Sequence, residues 1–389
     1  MPDGGLRAWL VILGVATGVC ATFRLVNAWG VFQAYYEETL LQNSSPSNIA
    51  WIGSIQYTLN FLPGLAIGRL FDMGWFFTPL CGGSLLLLAA TFLIGECTRY
   101  CEFLLCQGFA VGLSCGIIFN VILGTPAHWF KRRLGLALGF SSISSSIGGH
   151  RLPHRRPNTH TTRRVSDSSK STIGNRYLST HIRFKWTMRM LGLIEMCIVE
   201  YHCRIRRRLS PNREPGPFID LRAFASAAYM LYCAADFVAF LGFYTVLTYI
   251  DVSATEAGIP SSLSFYLVAI ANGCSLIGRI AGGVIADKTG PLTVMIPATF
   301  INGILTFAWP FAKSTGAYIA IAVIYGMVNG VFVSLVPGPI MQMGRTQRIG
   351  VLVGMSSTIM ALGAVAGPPI SGAINSSTGG FKFVGIYAG

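Results

Sequence analysis

The chain has 389 residues, 52% hydrophobic and 11% charged, with a mean hydropathy of +0.56. A water-soluble domain carries about 25% charged residues, and half that complement cannot cover a globule of this size; soluble enzymes, secreted disulfide modules and disordered chains are excluded, and the chain reads as an all-α polytopic membrane protein. Its net charge of +14 does not signal nucleic acid, because residues 150–189 hold ten Lys or Arg against one acid, Asp167, a local +9, while the other 349 residues carry 19 bases against 14 acids, or +5.

Apolar runs long enough to cross a hydrocarbon core roughly 30 Å thick predict spans over 8–33, 49–68, 76–94 and 103–123, then 223–250, 262–285, 292–311, 318–341 and 349–374. A tenth starts at Leu134 and stops near Gly149, a weak eleventh over 187–203 is interrupted by Glu195, Glu200 and His202, and the chain ends in the first turns of a twelfth from Phe381. No leader peptide is read, since Asp3-Gly4-Gly5 precedes a first run too long for one. The ten cysteines fall mostly inside apolar runs and read as buried thiols, although Cys97 and Cys101 flank a short loop and could bridge. Without a C-x-x-C pair, and with four of six histidines in the basic segment, no metal site and no cofactor are expected.

Lys and Arg fix the orientation. Outside 150–189, fourteen lie in one set of alternate loops, from Arg7 and Arg69 through Lys131-Arg132-Arg133 and the 204–222 loop to Lys288, Arg345 and Arg348; the other set holds Arg99, Lys313 and Lys382. The amino terminus and central loop are therefore cytoplasmic, which puts the sequons at Asn43 and Asn375 outside as glycosylation candidates.

The chain also repeats itself. Gly68-Arg-Leu-Phe-Asp72 recurs as Gly283-Val-Ile-Ala-Asp287, and Arg133-Leu-Gly135-x-x-x-Gly139-x-Ser141-Ser142 as Arg348-Ile-Gly350-x-x-x-Gly354-x-Ser356-Ser357, both 215 residues apart; Gly108-x-x-x-Gly112 matches Gly326-x-x-x-Gly330 at 218. Two copies of one multi-helix unit are typical of transporters, with the solute site near the midplane between them. The glycines read as close-packing positions. An acid at the same span end in both halves could accept hydrogen bonds from helix N-termini or from Arg across the seam and lock one state; Gly68, Asp72, Gly74, Gly283, Asp287, Arg133 and Arg348 are the gate candidates, against a plain loop turn.

Pro2-Asp3-Gly4-Gly5 with Ala8-Trp9, Gly30-Val-Phe-Gln-Ala-Tyr-Tyr-Glu37, Gly68-x-Leu70-x-Asp72-x-Gly74, His128-Trp-Phe-Lys-Arg-Arg133 and Gly278-Arg279 together resemble the fungal branch of the monocarboxylate-porter family, within the major facilitator superfamily. The resemblance covers about 1–149 and 187–389 and implies two pseudo-symmetric six-helix bundles, alternating access and no chemical conversion of the solute. Helices 5 and 6 are then damaged and helix 12 is truncated. Where the characterised animal carriers have a coupling lysine and Asp, this chain aligns Asn27 and Ser275, and only Arg279 remains. The resemblance therefore does not carry proton-linked lactate or pyruvate transport across, and it leaves uptake and secondary-metabolite export both open.

Ionisable groups within spans are functional candidates by default. Arg24, Asp236 and Arg279 stand out; Arg279 could present a two-pronged fork to an anion or pair with a carboxylate. Arg24 and Asp236 lie at similar depths, roughly 24 and 20 Å from the cytoplasmic side at 1.5 Å per residue, and could pair. Asn27, Trp29, Tyr244 and Tyr249 could line a cavity or anchor at the interface. The reading is a secondary transporter for a small organic solute, a carboxylate or a secondary metabolite for export, monomeric, in the lipid bilayer of the plasma membrane. The alternatives are a non-transporting or sensor-like homologue and, less well supported, a multi-pass membrane enzyme.

The organisation is a first bundle over 1–149, an anomalous basic segment over 150–186, a weak helix and central loop over 187–222, and a second bundle over 223–389. The segment interrupts a helix that the second half completes as Ala364-Val-Ala-Gly-Pro-Pro-Ile-Ser-Gly372. With codons CAT CGT CTT CCC CAT for His150 to His154, a one-base shift yields Ile-Val-Phe-Pro, an apolar helix end, so the segment reads as a frame or intron artefact of gene prediction or as a genuine lesion, against a genuine basic cytoplasmic insertion. Sequencing the transcript is expected to return that apolar helix end in place of residues 150–185; a continuous message encoding the basic peptide, with the peptide detected, refutes it. A tag inserted after Asp251 is expected to be reachable from outside intact cells, and protection of that tag would overturn the topology.

Overall fold

The computed structural model describes residues 4–147, apart from 28 and 43, then 186, 188, 189, and 219–389, apart from 244 and 345–347. The basic segment and the weak helix after it lie almost wholly outside the described residues. Everything regular that is described is helical.

In the first half, α1 (Leu6–Asn27) is followed by α2 (Trp29–Tyr35), α3 (Pro46–Phe61), α4 (Gly64–Asp72), α5 (Phe77–Ile94), α6 (Gly112–Leu123) and α7 (Leu134–Ile147). The predicted 49–68 span is in fact two helices. Pro63 lacks an N–H and its ring crowds the preceding turn, so α3 stops at Phe61 and α4 restarts at Gly64. Ser45 accepts from the Asn48 N–H at 3.2 Å and caps α3, while Gly74, at φ +90°, turns the chain after α4. A run over Tyr100–Phe103 and a π-helical stretch over Leu104–Val111 lead into α6.

The second half has α8 (Ala227–Gly242), α9 (Thr245–Glu256), α10 (Ser261–Thr289), α11 (Pro291–Ala308), α12 (Thr315–Leu335), α13 (Ile349–Thr378) and the short α14 (Lys382–Ala388). The apolar runs understate these helices. The predicted 262–285 and 349–374 are 29 and 30 residues long, because a helix can continue past the hydrocarbon edge, whereas an apolar run ends at its first polar residues. Eight helical stretches among the described residues are long and apolar enough to cross a membrane. Side chains such as Leu85, Val238, Ile296 and Phe300 turn outward from them, as a bilayer-facing surface requires.

The two halves are packed by the same device. A Cβ on Gly112 would lie 2.9 Å from the Gln56 Cα, which brings α6 onto α3, and a Cβ on Gly330 would lie 2.9 Å from the Ser275 Cα, which brings α12 onto α10. These glycines are the repeated G-x-x-x-G positions. Polar tips inside the second half find partners: the Trp309 indole N–H donates to Ser253 Oγ at 2.8 Å and the Tyr325 hydroxyl to the Phe243 carbonyl at 2.8 Å. The bridge considered between Cys97 and Cys101 is not made, and both thiols are free, Cys97 buried and Cys101 exposed.

Candidate functional site

Two contacts of one design join the halves at the end carrying the Lys and Arg clusters. The N–H groups of Gly350 and Val351, at the start of α13, donate to Asp72 Oδ1 and Oδ2 at 3.0 and 2.8 Å. Those of Gly135 and Leu136, at the start of α7, donate to Asp287 Oδ1 and Oδ2 at 2.6 and 3.1 Å. Each carboxylate spans two otherwise unsatisfied amides at a positive helix end. Hydrogen bonds to a charged group are worth about 1.5–3 kcal/mol each.

Glycine makes the approach sterically possible. A Cβ on Gly68 would run into the Gly350 carbonyl oxygen, and one on Gly354 into that of Gly64. On the other seam, Cβ atoms on Gly135 and Gly283 would each meet the other's carbonyl oxygen, at 2.6 and 2.5 Å. Arg133 and Arg348 are exposed beside these seams, and Arg348 Nη1 reaches Asp220 Oδ2 at 3.2 Å.

Between the halves lies a cavity lined by residues of both. Phe23, Phe61, Phe119 and Phe240 form one wall, their rings meeting edge to face: Phe23 on Phe119 at 5.1 Å, Phe61 on Phe119 at 5.7 Å and Phe61 on Phe240 at 6.0 Å. Ser141, Ser142, Ser334, Ser356 and Ser357 supply hydroxyls, and Arg279 is the cationic side chain among the described lining residues. Arg279 is 6% exposed and crosses the interface, donating from Nη1 to the Ser142 carbonyl at 2.7 Å. Apolar walls with a few converging polar groups are the usual make-up of a small-molecule site.

The remaining candidates divide. Asp236 is buried on α8 and accepts from Ser356 Oγ at 3.3 Å, so it stands behind the cavity wall and not on it. The side chains of Arg24 and Asn27, and the whole of Tyr244 and Asn43, lie outside what is described; the Arg24–Asp236 pair is among the expectations that fall there. Trp29 packs over Gly53, and Tyr249 lies against Phe381 with ring centroids 5.6 Å apart, so neither lines the cavity. Asn375, expected in an outer loop, is half-buried in α13, which continues to Thr378.

Sequence reasoning missed the phenylalanine wall, because apolar rings inside apolar spans carry no signal. It also missed Gln56, Asn60 and Asn120, whose uncharged amides pass through a hydropathy window. A buried amide group left without a partner costs about 1–3 kcal/mol.

Two halves of one design, closed at one end around a largely apolar cavity with a few converging polar groups, define a membrane transporter that exposes its site to the two sides in turn. The sequence profile of the Major Facilitator Superfamily matches residues 157–387, and the chain belongs to that family. It is 33% identical to the aspyridones efflux protein apdF of Emericella nidulans, over 100% of this chain and 76% of that protein. It is 32% identical to the MFS-type transporter hasB of Aspergillus fumigatus, over 99% of this chain and 86% of that one. Among solved structures it resembles the E. coli fucose:proton symporter FucP, with a TM-score of 0.73 at 13% identity over 96% of this chain and 94% of that one. The human organic anion transporter MFSD10 gives 0.72 at 12% identity over 99% and 97%.

Gly68→Ala is expected to force the Gly350 carbonyl away and open the seam. Overpacking of this kind costs about 1–3 kcal/mol, which raises the reactivity of a cysteine placed at Ser357, in an otherwise cysteine-free protein, toward an impermeant thiol reagent applied from the basic side by roughly 5- to 100-fold.

Proposed function

We propose that the protein exports a small, largely aromatic organic anion, of the kind fungi make as secondary metabolites, across the plasma membrane as a monomer. The observation that carries this reading is the buried Arg279 guanidinium in a cavity whose other described lining residues are serines, four phenylalanines and aliphatic side chains such as Val15, Leu138, Ile340 and Met360. The one fixed cation among the described lining residues favours a solute with an anionic group, and edge-to-face rings favour a flat apolar body. The relative whose name specifies aspyridones efflux supports the direction, and the motifs quoted above favour placement in the fungal monocarboxylate-porter branch. With the basic end cytoplasmic, the described state is closed to the cytoplasm.

Asp72 and Asp287 act as the two halves of the cytoplasmic gate. In the closed state each holds the first turn of a helix from the opposite half, and the cavity opens inward only when all four charge-assisted hydrogen bonds are released together. A solute shifts this balance only by binding one state better than the other. Arg279 gives it the means, since the same guanidinium that would meet the anion also bonds the Ser142 carbonyl on α7; an anion that recruits the guanidinium weakens that tie.

The reading is tested in inside-out plasma-membrane vesicles with a panel of fluorescent aromatic carboxylates. Wild-type vesicles are expected to accumulate at least one, Arg279→Gln to abolish accumulation, and Arg279→Lys to reduce it about tenfold, one fork geometry being worth roughly 1.4 kcal/mol. Asp72→Asn and Asp287→Asn lose the charge on their hydrogen bonds and are expected to move the balance about tenfold or more toward the inward-open state. Accumulation that is the same for wild type and Arg279→Gln overturns the anionic reading, and absence of accumulation across the panel favours a non-transporting homologue.

A further inference from the structure

The repeat pairs Ser141-Ser142 on α7 with Ser356-Ser357 on α13, and all four residues line the cavity. The surroundings of the two pairs are opposite in charge. Arg279 donates to the Ser142 carbonyl at 2.7 Å, whereas Ser356 Oγ donates to Asp236 Oδ2 at 3.3 Å. Neither charge is repeated in the first half. Leu6-Arg7-Ala8 recurs as Leu221-Arg222-Ala223 at the same offset of 215, which sets Ala21 against Asp236. Gly64 falls against Arg279, and the seam contacts agree, since Gly354 packs on the Gly64 carbonyl as Gly139 packs on that of Arg279.

The aspartate decides what its serine offers the cavity. A serine hydroxyl has one proton to give and two lone pairs to receive with. In the first half, where the position of the aspartate is Ala21, Ser141 gives its proton to the Leu138 carbonyl of its own helix at 2.8 Å. Ser142 does the same at 3.0 Å, and Ser334 gives its proton to the Val331 carbonyl at 3.0 Å. Such bonds are cheap to exchange, because a carbonyl inside a helix keeps its backbone N–H partner. Ser356 instead gives its proton to another helix. Asp236 is 3% exposed, and Ser356 supplies its one hydrogen bond among the described residues. A solute that turned this hydroxyl toward itself would strip a buried carboxylate of its donor. The Cys233 thiol lies beside the same oxygen, but it is a weak donor and leaves a lone pair of Oγ over.

We propose that Ser356 accepts a hydrogen bond from the exported solute, with Asp236 as the positioning residue that holds its proton, so that the solute carries a hydroxyl or N–H donor in addition to the anionic group that meets Arg279. The proposal rests on the anion reading above and narrows it. Ser356 lines the cavity and Asp236 does not, so the carboxylate acts through the serine and never on the solute itself. An ether or carbonyl oxygen at that point would face a lone pair, and a site built to hydrogen-bond a donor discriminates strongly against an analogue lacking it.

The test uses the purified full-length chain and three probes with the same ring and carboxylate. In 6-hydroxy-2-naphthoate the ring carries a donor, in 6-methoxy-2-naphthoate the same oxygen has no proton, and 2-naphthoate has no substituent. Equilibrium dialysis is expected to show wild type binding the hydroxy probe about tenfold more tightly than either of the others. Ser356→Ala is expected to bring the hydroxy probe to the affinity of 2-naphthoate. Asp236→Asn, whose amide N–H can donate to Ser356 and free the serine proton, is expected to shift the preference toward the methoxy probe. Equal binding of the hydroxy probe and 2-naphthoate by wild type, or a preference that survives Ser356→Ala, overturns the assignment. Loss of all three probes together in Ser356→Ala assigns the serine to packing and overturns it as well. An undiminished preference in Asp236→Asn overturns the positioning role of the aspartate. Arg279→Gln is expected to weaken the three probes alike. If it changes none of them while Ser356→Ala removes the preference, it is the anion reading that fails and the acceptor that stands.

Discussion

The closed state depends on two carboxylates that each cap a helix belonging to the other half of the molecule. Asp72 ends α4 and Asp287 lies in the last turn of α10. Each reaches across the seam to two N–H groups that a helix start leaves without intrahelical partners. The same four amides need a replacement, water or another acceptor, whenever the seam opens. Capping in trans therefore ties the electrostatics of a helix end in one half to the position of the other half.

That exchange needs backbone proximity, which side chains would prevent. Gly68 against Gly350 and Gly135 against Gly283 bring main chain onto main chain, close enough for an aspartate one turn further on to meet the helix start opposite. The spacing of the G-x-x-x-D turn follows: the glycine sets the distance between the helices and the acid, four residues later on the same face, uses it. A larger residue at the glycine would weaken the carboxylate contact without touching the carboxylate.

Much of this could be read from residues, and the rest could not for definite reasons. Charge and length exposed the spans, and the 215-residue repeat exposed the paired acids, because a buried or seam-bound carboxylate stands out in an apolar chain. The backbone partners of those acids were left open between helix ends and arginines, since every residue has an N–H and sequence does not say which are unsatisfied. The break at Pro63 was overlooked because the apolar run continues through it. Asp236 looked like a cavity group by its depth along α8, but depth says nothing about which face of a helix a residue occupies, and Asp236 stands behind Ser356, which is on the wall and donates to it. The aromatic wall was hidden because phenylalanine is equally at home facing lipid, core or solute.

A duplicated scaffold moves symmetrically, but a solute site made of identical halves could hold only a symmetric solute well. Here the scaffold contacts are kept in both copies, the carboxylate caps and the glycine crossings alike, while the one turn between them has diverged. In the second half it carries a guanidinium; in the first it is broken by Pro63, stripped of a side chain at Gly64 and filled from α6 by Asn120. The proline matters to this, because a continuous helix would place the Asn60 and Gly64 positions on one unbroken stripe with no freedom to re-register. Divergence in that turn leaves the carboxylate caps and the glycine crossings in place in both copies, while Arg279 of the second half gives the shared cavity a cation on one side among the described lining residues.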